Sequence, residues 1–269
     1  MSNENENESS ILTDLVKSIK VPTDIAQSAL KPTAKEIGDG FGNLFYLAFA
    51  PIQKARIKKE IEIQRFKEEI EKQLSTIPPE NLTEPPLNIV GPALEASRYY
   101  IDYGEIRDMF AKLIANSMNI DHTDKTHSSF VEIIKQLSPL DARNFRFLTE
   151  NPNIAVGSIR LNFKSRGTGG TTWFRNVFPF PEMTFENVSS YASSVDNLIR
   201  LGLLEVDDGS SYTDKTTYEK LLQHPFYKKC KKLVENHPEH PTFKDKILHL
   251  NESISIITDF GKNFAHCCL

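Results

Sequence analysis

Four histidines and a cysteine gather late in this chain: His224, Cys230, His237, His240 and His249. Zinc takes about four nitrogen or sulfur ligands in a tetrahedral array, and His237 with His240 could supply two. Only one thiol accompanies them, and His224, His237 and His240 each precede proline, which suits turns better than ligation. A metal site is therefore not expected. Glu95, Glu105 and Asp108 could serve acid–base chemistry or a divalent cation. Their spacing fits a plainer role, as acids near helix starts that oppose the macrodipole. The loop from Gly167 to Thr172 has the glycines of a phosphate cradle but neither its lysine nor a following helix, so it reads as a hairpin turn. HExxH, GxSxG and GxxxxGK[ST] patterns are all missing from the sequence. The expectation is a protein without catalytic residues, cofactor or small-molecule substrate.

Two further groups could bind rather than react. Between Glu150 and Glu182 there is no acidic residue, and Arg160, Lys164, Arg166 and Arg175 alternate with Phe163, Trp173, Phe174, Phe178 and Phe180. Cations beside stackable rings are what single-stranded nucleic acid requires. Arg160, Lys164, Arg166, Trp173 and Arg175 are the nucleic-acid candidates. The competing reading, which is favoured, is a hairpin whose rings pack inward while its cations stay solvated. The lysine run Lys228, Lys229, Lys231 and Lys232 reads as a solvated helix face. The apolar stretch containing Phe41, Leu44, Phe45 and Phe49 leads into Lys54, Arg56, Lys58 and Lys59. Apolar residues beside a cationic cluster can rest on an anionic membrane surface, so these eight are the membrane-contact candidates. An ordinary buried helix end is the alternative.

Composition bounds these readings. The chain has 269 residues, 39% hydrophobic and 25% charged, which is ordinary for a globular protein with a real core. A net charge of -4 argues against a polyanion binder acting through its whole surface. Three cysteines, two of them adjacent, make no disulfide framework, so a reducing cytoplasm is expected, with peripheral contact to the inner membrane. The opening MSNENENESS lacks the basic-then-apolar order of a signal peptide and reads as a disordered tail over residues 1–10. Phe41 to Ile52 is too short and too broken to span a bilayer.

The elements that must position these residues follow from periodicity. Ile11 to Ile19 is amphipathic at helical spacing. Ile52 to Leu74 predicts a long charged helix with two apolar stripes, Ile52, Ile63, Phe66, Ile70 and Leu74 on one side and Ile57 and Ile61 opposite. A helix greasy on two sides needs two packing partners or self-association. Its pair Glu68–Lys72 adds only a few tenths of a kcal/mol. Ile77 to Pro86, with four prolines, predicts an extended linker. Pro92 suits a first helical position, and Ile106, Met109, Phe110, Leu113 and Ser117 form a stripe after Gly104. Ser129 with Glu132 predicts a capping box, and Ser138 with Pro139 opens the next helix. After Pro152, IAVGSIRLNF and TTWFRNVFPF flank a glycine-rich turn and predict a hairpin. A helix from Val188 to Gly202, short strands LLEV and ISII and a terminal helix complete the chain.

The stretch IPPENLTEPPLNIVGPALEASRYYIDYGEIRDMFAKLIANSMN, Ile77 to Asn119, resembles the signature region of the Abi-alpha (abortive infection alpha) family of bacterial proteins. SSFVEIIKQLSPLDARNFRFL, Ser128 to Leu148, and the C-terminal TDFGKNFAHCC fit the same pattern. The resemblance implies anti-phage defence by abortive infection, in which an infected cell stops growing or dies before progeny mature. It carries no catalytic residue set.

The expected fold is mainly α with a small α+β C-terminal module: a helical N-terminal half followed by a winged-helix-like domain. Its divisions are a tail at 1–10, amphipathic helices at 11–76, a helical Abi-alpha-like core at 77–150 and the α+β module at 151–269. The leading functional expectation is a non-enzymatic effector or sensor. Self-association or peripheral membrane contact would come from its helical half, and recognition of a phage-derived or host protein from its C-terminal module. The alternatives are nucleic-acid binding by the winged-helix-like module and, more weakly, a hydrolase using Glu95, Glu105 or Asp108.

Overall fold

The computed structural model describes residues 34–49, 57–165 and 169–269. The expected tail at 1–10, the amphipathic stretch Ile11–Ile19, and Ile52, Lys54, Arg56 and Arg166 lie outside the described residues, as do the side chains of Ile57, Lys58 and Lys59. The chain is mostly helical with a small antiparallel sheet, and it divides into two compact units. One runs through Pro139 and takes in Asn263–Leu269; the other is Leu140–Lys262.

The first unit is all helical: α1 (Ala34–Phe49), α2 (Ile57–Leu74), α3 (Leu87–Tyr100), α4 (Gly104–Ser117) and α5 (Ser129–Gln136). Phe41, Phe45 and Phe49 recur every four residues, so they share one face of α1, and all three are buried. Phe45 and Phe49 stack at 4.7 Å, and both stand about 6 Å from the ring of Phe66 on α2. The first expected stripe of α2, Ile63, Phe66, Ile70 and Leu74, is buried, whereas Ile61 on the opposite side is 49% exposed. Helix α2 packs along α4, where Arg107 holds two of its carboxylates. Its Nε and Nη2 reach Glu69 at 2.9 and 2.7 Å, and its Nη1 pairs with Glu62. The α4 stripe is covered as expected, with Ile106, Met109, Phe110 and Leu113 inaccessible.

Local signals in this unit misplaced several boundaries. Helix α3 starts at Leu87, so Pro92 lies inside it. Burial of Ile89 and Val90 extends the helix backwards past the proline and offsets the hydrogen bond lost there. Ser129 is the first helical residue of α5 rather than its cap; its amide donates to His127 Nδ1 at 3.1 Å, and Glu132 pairs with Lys135. The proline-rich segment is no free linker. It forms a 3-10 turn at Pro79–Asn81, and Thr83 N–H donates to Met118 carbonyl at 2.8 Å while Ile77 and Leu82 are buried. Glu68 accepts from Gln64 at 2.7 Å instead of meeting Lys72.

The second unit holds α6 (Pro139–Glu150), β1 (Val156–Phe163), β2 (Gly170–Val177), α7 (Val188–Arg200), β3 (Leu204–Asp207), α8 (Glu219–Gln223), α9 (Pro225–Asn236) and β4 (Lys246–Ile257), with α10 (Asp259–Cys268) beginning here. Helix α6 opens at Pro139, as Ser138–Pro139 predicts. The strand order is β2-β1-β4-β3, antiparallel throughout. The twelve-residue β4 organises the sheet: Lys246–Ser253 pair with β1, and Ile254–Ile257 pair with β3. The expected ISII is only its last part. Two helices, α8 and α9, stand between β3 and β4, where the expected winged-helix-like module has strand following strand.

The hairpin forms where the sequence places it. Gly170 is required there, since a Cβ would lie 2.2 Å from the Leu161 carbonyl oxygen at φ 148°. A bulge between Ile159 and Arg160 leaves Trp173 as the extra residue of β2. Leu161 packs with Val234 of α9 and Phe243, and Trp173 and Leu248 close over them.

Candidate functional site

Strand alternation fixes what this sheet offers a ligand. Antiparallel partners project to the same side, so Phe163 at the end of β1 and Lys246 at the start of β4 stand together, with the ammonium 5.8 Å from the ring centroid. The pairing continues one step further, where Lys164 N–H donates to the Asp245 carbonyl at 2.8 Å. This positions Lys164 beside Lys246 and fixes Asp245 at φ 56°.

Helix α9 supplies the other wall. Phe226, Cys230 and Val234 are buried at helical spacing, which turns Tyr227 and Lys231 to the rim. Two adjoining clefts, of about 450 Å³ against α9 and about 860 Å³ against the loop before β4, are both lined by Lys164 and Lys246. The first adds Tyr227, Lys231 and Ile247; the second adds Phe163 and Lys244. Four ammonium groups thus face two carboxylates, Glu235 and Asp245, in a chain whose net charge is -4. Glu235 stands 4.0 Å from Lys231. Among the described residues, Lys164, Lys244 and Lys246 have no carboxylate within salt-bridge distance. Phe163 is 39% and Ile247 45% exposed. Burial pushes the Tyr227 phenol above its ordinary value, so it presents a neutral ring. The arrangement can hold an anion that also carries flat or apolar surface.

Of the nucleic-acid candidates, Lys164 belongs to this site. Arg160 is half-buried on β1 and donates to Thr172 Oγ1 at 3.0 Å. Arg175 is exposed on β2. Trp173 is half-buried among rings, 5.0 Å from Phe174, 5.8 Å from Phe185 and 5.3 Å from Phe243. The hairpin rings therefore pack largely inward. Lys231, Lys244 and Lys246 were missed because nothing local connects them to Lys164; only the long β4 and the packing of α9 do. The lysine run on α9 is the one signal that could have pointed there.

The membrane candidates are divided. Phe45 and Phe49 are taken up by the packing on Phe66, Phe41 is buried beside Phe45, and Leu44 is half-buried. What α1 exposes is Leu47, at 68%, and Tyr46. Among the described residues, no helix is long and apolar enough to cross a membrane.

The remaining chemistry-bearing residues are dispersed. His224 is a buried helix cap, Cys230 is buried, and His237, His240 and His249 are exposed. Burial pushes the Cys230 thiol up to about 12. Cys267 and Cys268 are likewise buried free thiols, packed as small core residues. Glu105 lies in the first turn of α4, as expected. Glu95 is mid-helix on α3 beside Arg98, which corrects its expected place at a helix start. Asp108 pairs with Lys112 at 3.1 Å.

Comparison with known proteins gives one result. The family model described as abortive infection alpha matches residues 58–268. No curated protein and no solved structure matches the chain significantly.

Proposed function

The chain belongs to the abortive infection alpha family, and from that premise we propose that it defends bacteria against bacteriophage by arresting the infected cell. It acts as an effector or sensor without catalysis, at the cytoplasmic side. The helical unit provides self-association, with contact to the inner membrane surface as the other use of the same residues. The α+β unit recognises a phage-derived or host partner.

One observation carries the first half of this reading. Ile61 stands in solvent among exposed Arg65, Glu68 and Lys72, while the opposite stripe of α2 is fully covered by its own unit. Leu47 is similarly bare on the face of α1 opposite its phenylalanines. Exposed apolar residues on two helices, Ile61 among charges, suit a contact that forms and releases, not a permanent core.

For the second half, α7 leads into β3, which pairs with the end of β4. Helix α7 brings a single cation, Arg200, whereas groove-reading helices usually bring several. Recognition is therefore assigned to the lysine-lined cleft beside β4.

Induced expression with and without phage, with growth and membrane potential recorded together, tests the proposal. Arrest confined to infected cells supports it. Loss of potential before arrest selects membrane contact, and intact potential selects self-association. Unchanged growth in infected cells rejects the defence role.

A further inference from the structure

We propose that the double cleft between β1, β4 and α9 binds single-stranded nucleic acid. The inference rests on reading the α+β unit as the recognition part of a defence protein, and it names that unit's ligand.

Three features fit a strand and fit other anions less well. The cations repeat across the site rather than converge: Lys231 lies in one compartment, Lys244 in the other, and Lys164 and Lys246 belong to both. A chain of phosphates at regular intervals matches that series, whereas one phosphate would need donors gathered at a point. Each compartment also has one ring, Tyr227 in the first and Phe163 in the second. Stacking on such rings is worth about 1–3 kcal/mol per base and tolerates any sequence. Finally, the rings line recesses, and a base reaches a recessed ring only when it is unpaired. Duplex bases are stacked within the helix and present their edges and the phosphates, but no face for a ring to stack on.

The geometry gives each group a role. Lys164 and Lys246 hold the phosphate between two successive nucleotides, Tyr227 and Phe163 face the two bases, and Lys231 and Lys244 take the flanking phosphates. The four lysines make binding salt-dependent, and Glu235 and Asp245, by limiting the net positive charge, keep both the affinity and the salt slope modest.

The test is fluorescence anisotropy on the full chain, using a labelled single strand of about ten nucleotides. A duplex of the same length and inorganic polyphosphate serve as competitors. The single strand should bind, and both competitors should be weaker by at least about tenfold. Changing Lys164→Ala and Lys246→Ala together should cost about tenfold or more in affinity. It should also flatten the salt slope by about 0.7, from the one phosphate that the two lysines share. Phe163→Ala should weaken the strand several-fold and leave polyphosphate unchanged. Circular dichroism confirms that each variant is folded. No strand binding at low salt, binding unaffected by the double lysine variant, or polyphosphate as tight as the strand would overturn the proposal. Phage yield separates the two readings. A chain that binds the strand but leaves yield untouched refutes defence alone, and one that restricts phage without binding refutes this inference alone.

Discussion

The Nε2 of His224 lies 3.0 Å from the Phe180 carbonyl oxygen, while its Nδ1 lies 3.3 Å from the amide of Phe226. The neutral ring with its hydrogen on Nε2 satisfies both, donating to Phe180 and accepting from the first turn of α9. Burial lowers the affinity of this ring for a second proton, and the Phe180 bond opposes that only in part. The folded protein therefore binds the proton less readily than the unfolded chain. This contribution to stability is intact above about pH 6.5 and is lost as pH falls through the lower folded value. Urea midpoints should hold between about pH 8 and 7 and decline below about 6.5. In His224→Asn, which keeps a cap acceptor without the titration, that part of the decline should vanish. A flat profile in the parent chain refutes the assignment.

The two faces of α2 should answer differently to substitution. Phe66 is inaccessible and meets Phe45 and Phe49, so Phe66→Ala should cost about 3–5 kcal/mol in denaturant unfolding. Ile61→Ser should change stability by no more than about 0.5 kcal/mol. It should nevertheless shift sedimentation towards the monomer, because the proposed association uses that side chain. Equal destabilisation by both variants would show that Ile61 belongs to the core.

Arg107 joins α2 to α4 through a planar fork, with its side chain 11% exposed. An ammonium at the same place cannot meet Glu69 with two nitrogens and still reach Glu62. Arg107→Lys should lose about 1–3 kcal/mol in chemical denaturation, close to the loss in Arg107→Ala. A lysine variant as stable as the parent would reduce this contact to simple charge.

Gly261 allows the start of α10 to approach the chain before β3. A Cβ there would stand 2.2 Å from the Leu203 carbonyl oxygen, which is backbone and cannot turn aside. Gly261→Ala should destabilise by about 1–3 kcal/mol, seen as a lower melting temperature. Helix propensity alone would predict a gain, so the direction of the change decides.

What the sequence reveals follows the range of each interaction. Stripes such as Ile106, Met109, Phe110 and Leu113 are written at local spacing, and so is the hairpin around Gly169 and Gly170. Lys246 to Glu252 carries lysine, asparagine, histidine and glutamate, which give weak strand signals. That segment is extended because β1 pairs with it along its length. The cleft shares this origin: Lys164 was named for its neighbours in the chain, but Lys231 and Lys246 reach it only through the fold. Pro92 misled because burial of Ile89 and Val90 carries the helix past it, and the Ser129–Glu132 pair because His127 and Lys135 take those groups locally.

The most direct measurement of the defence role is the number of phage progeny released per infected cell, with and without expression of the chain. The account predicts that the parent chain lowers the yield while infected cells cease growth, and that Ile61→Ser restores it. Undiminished progeny from cells making the parent chain, with the folded protein present, would contradict it.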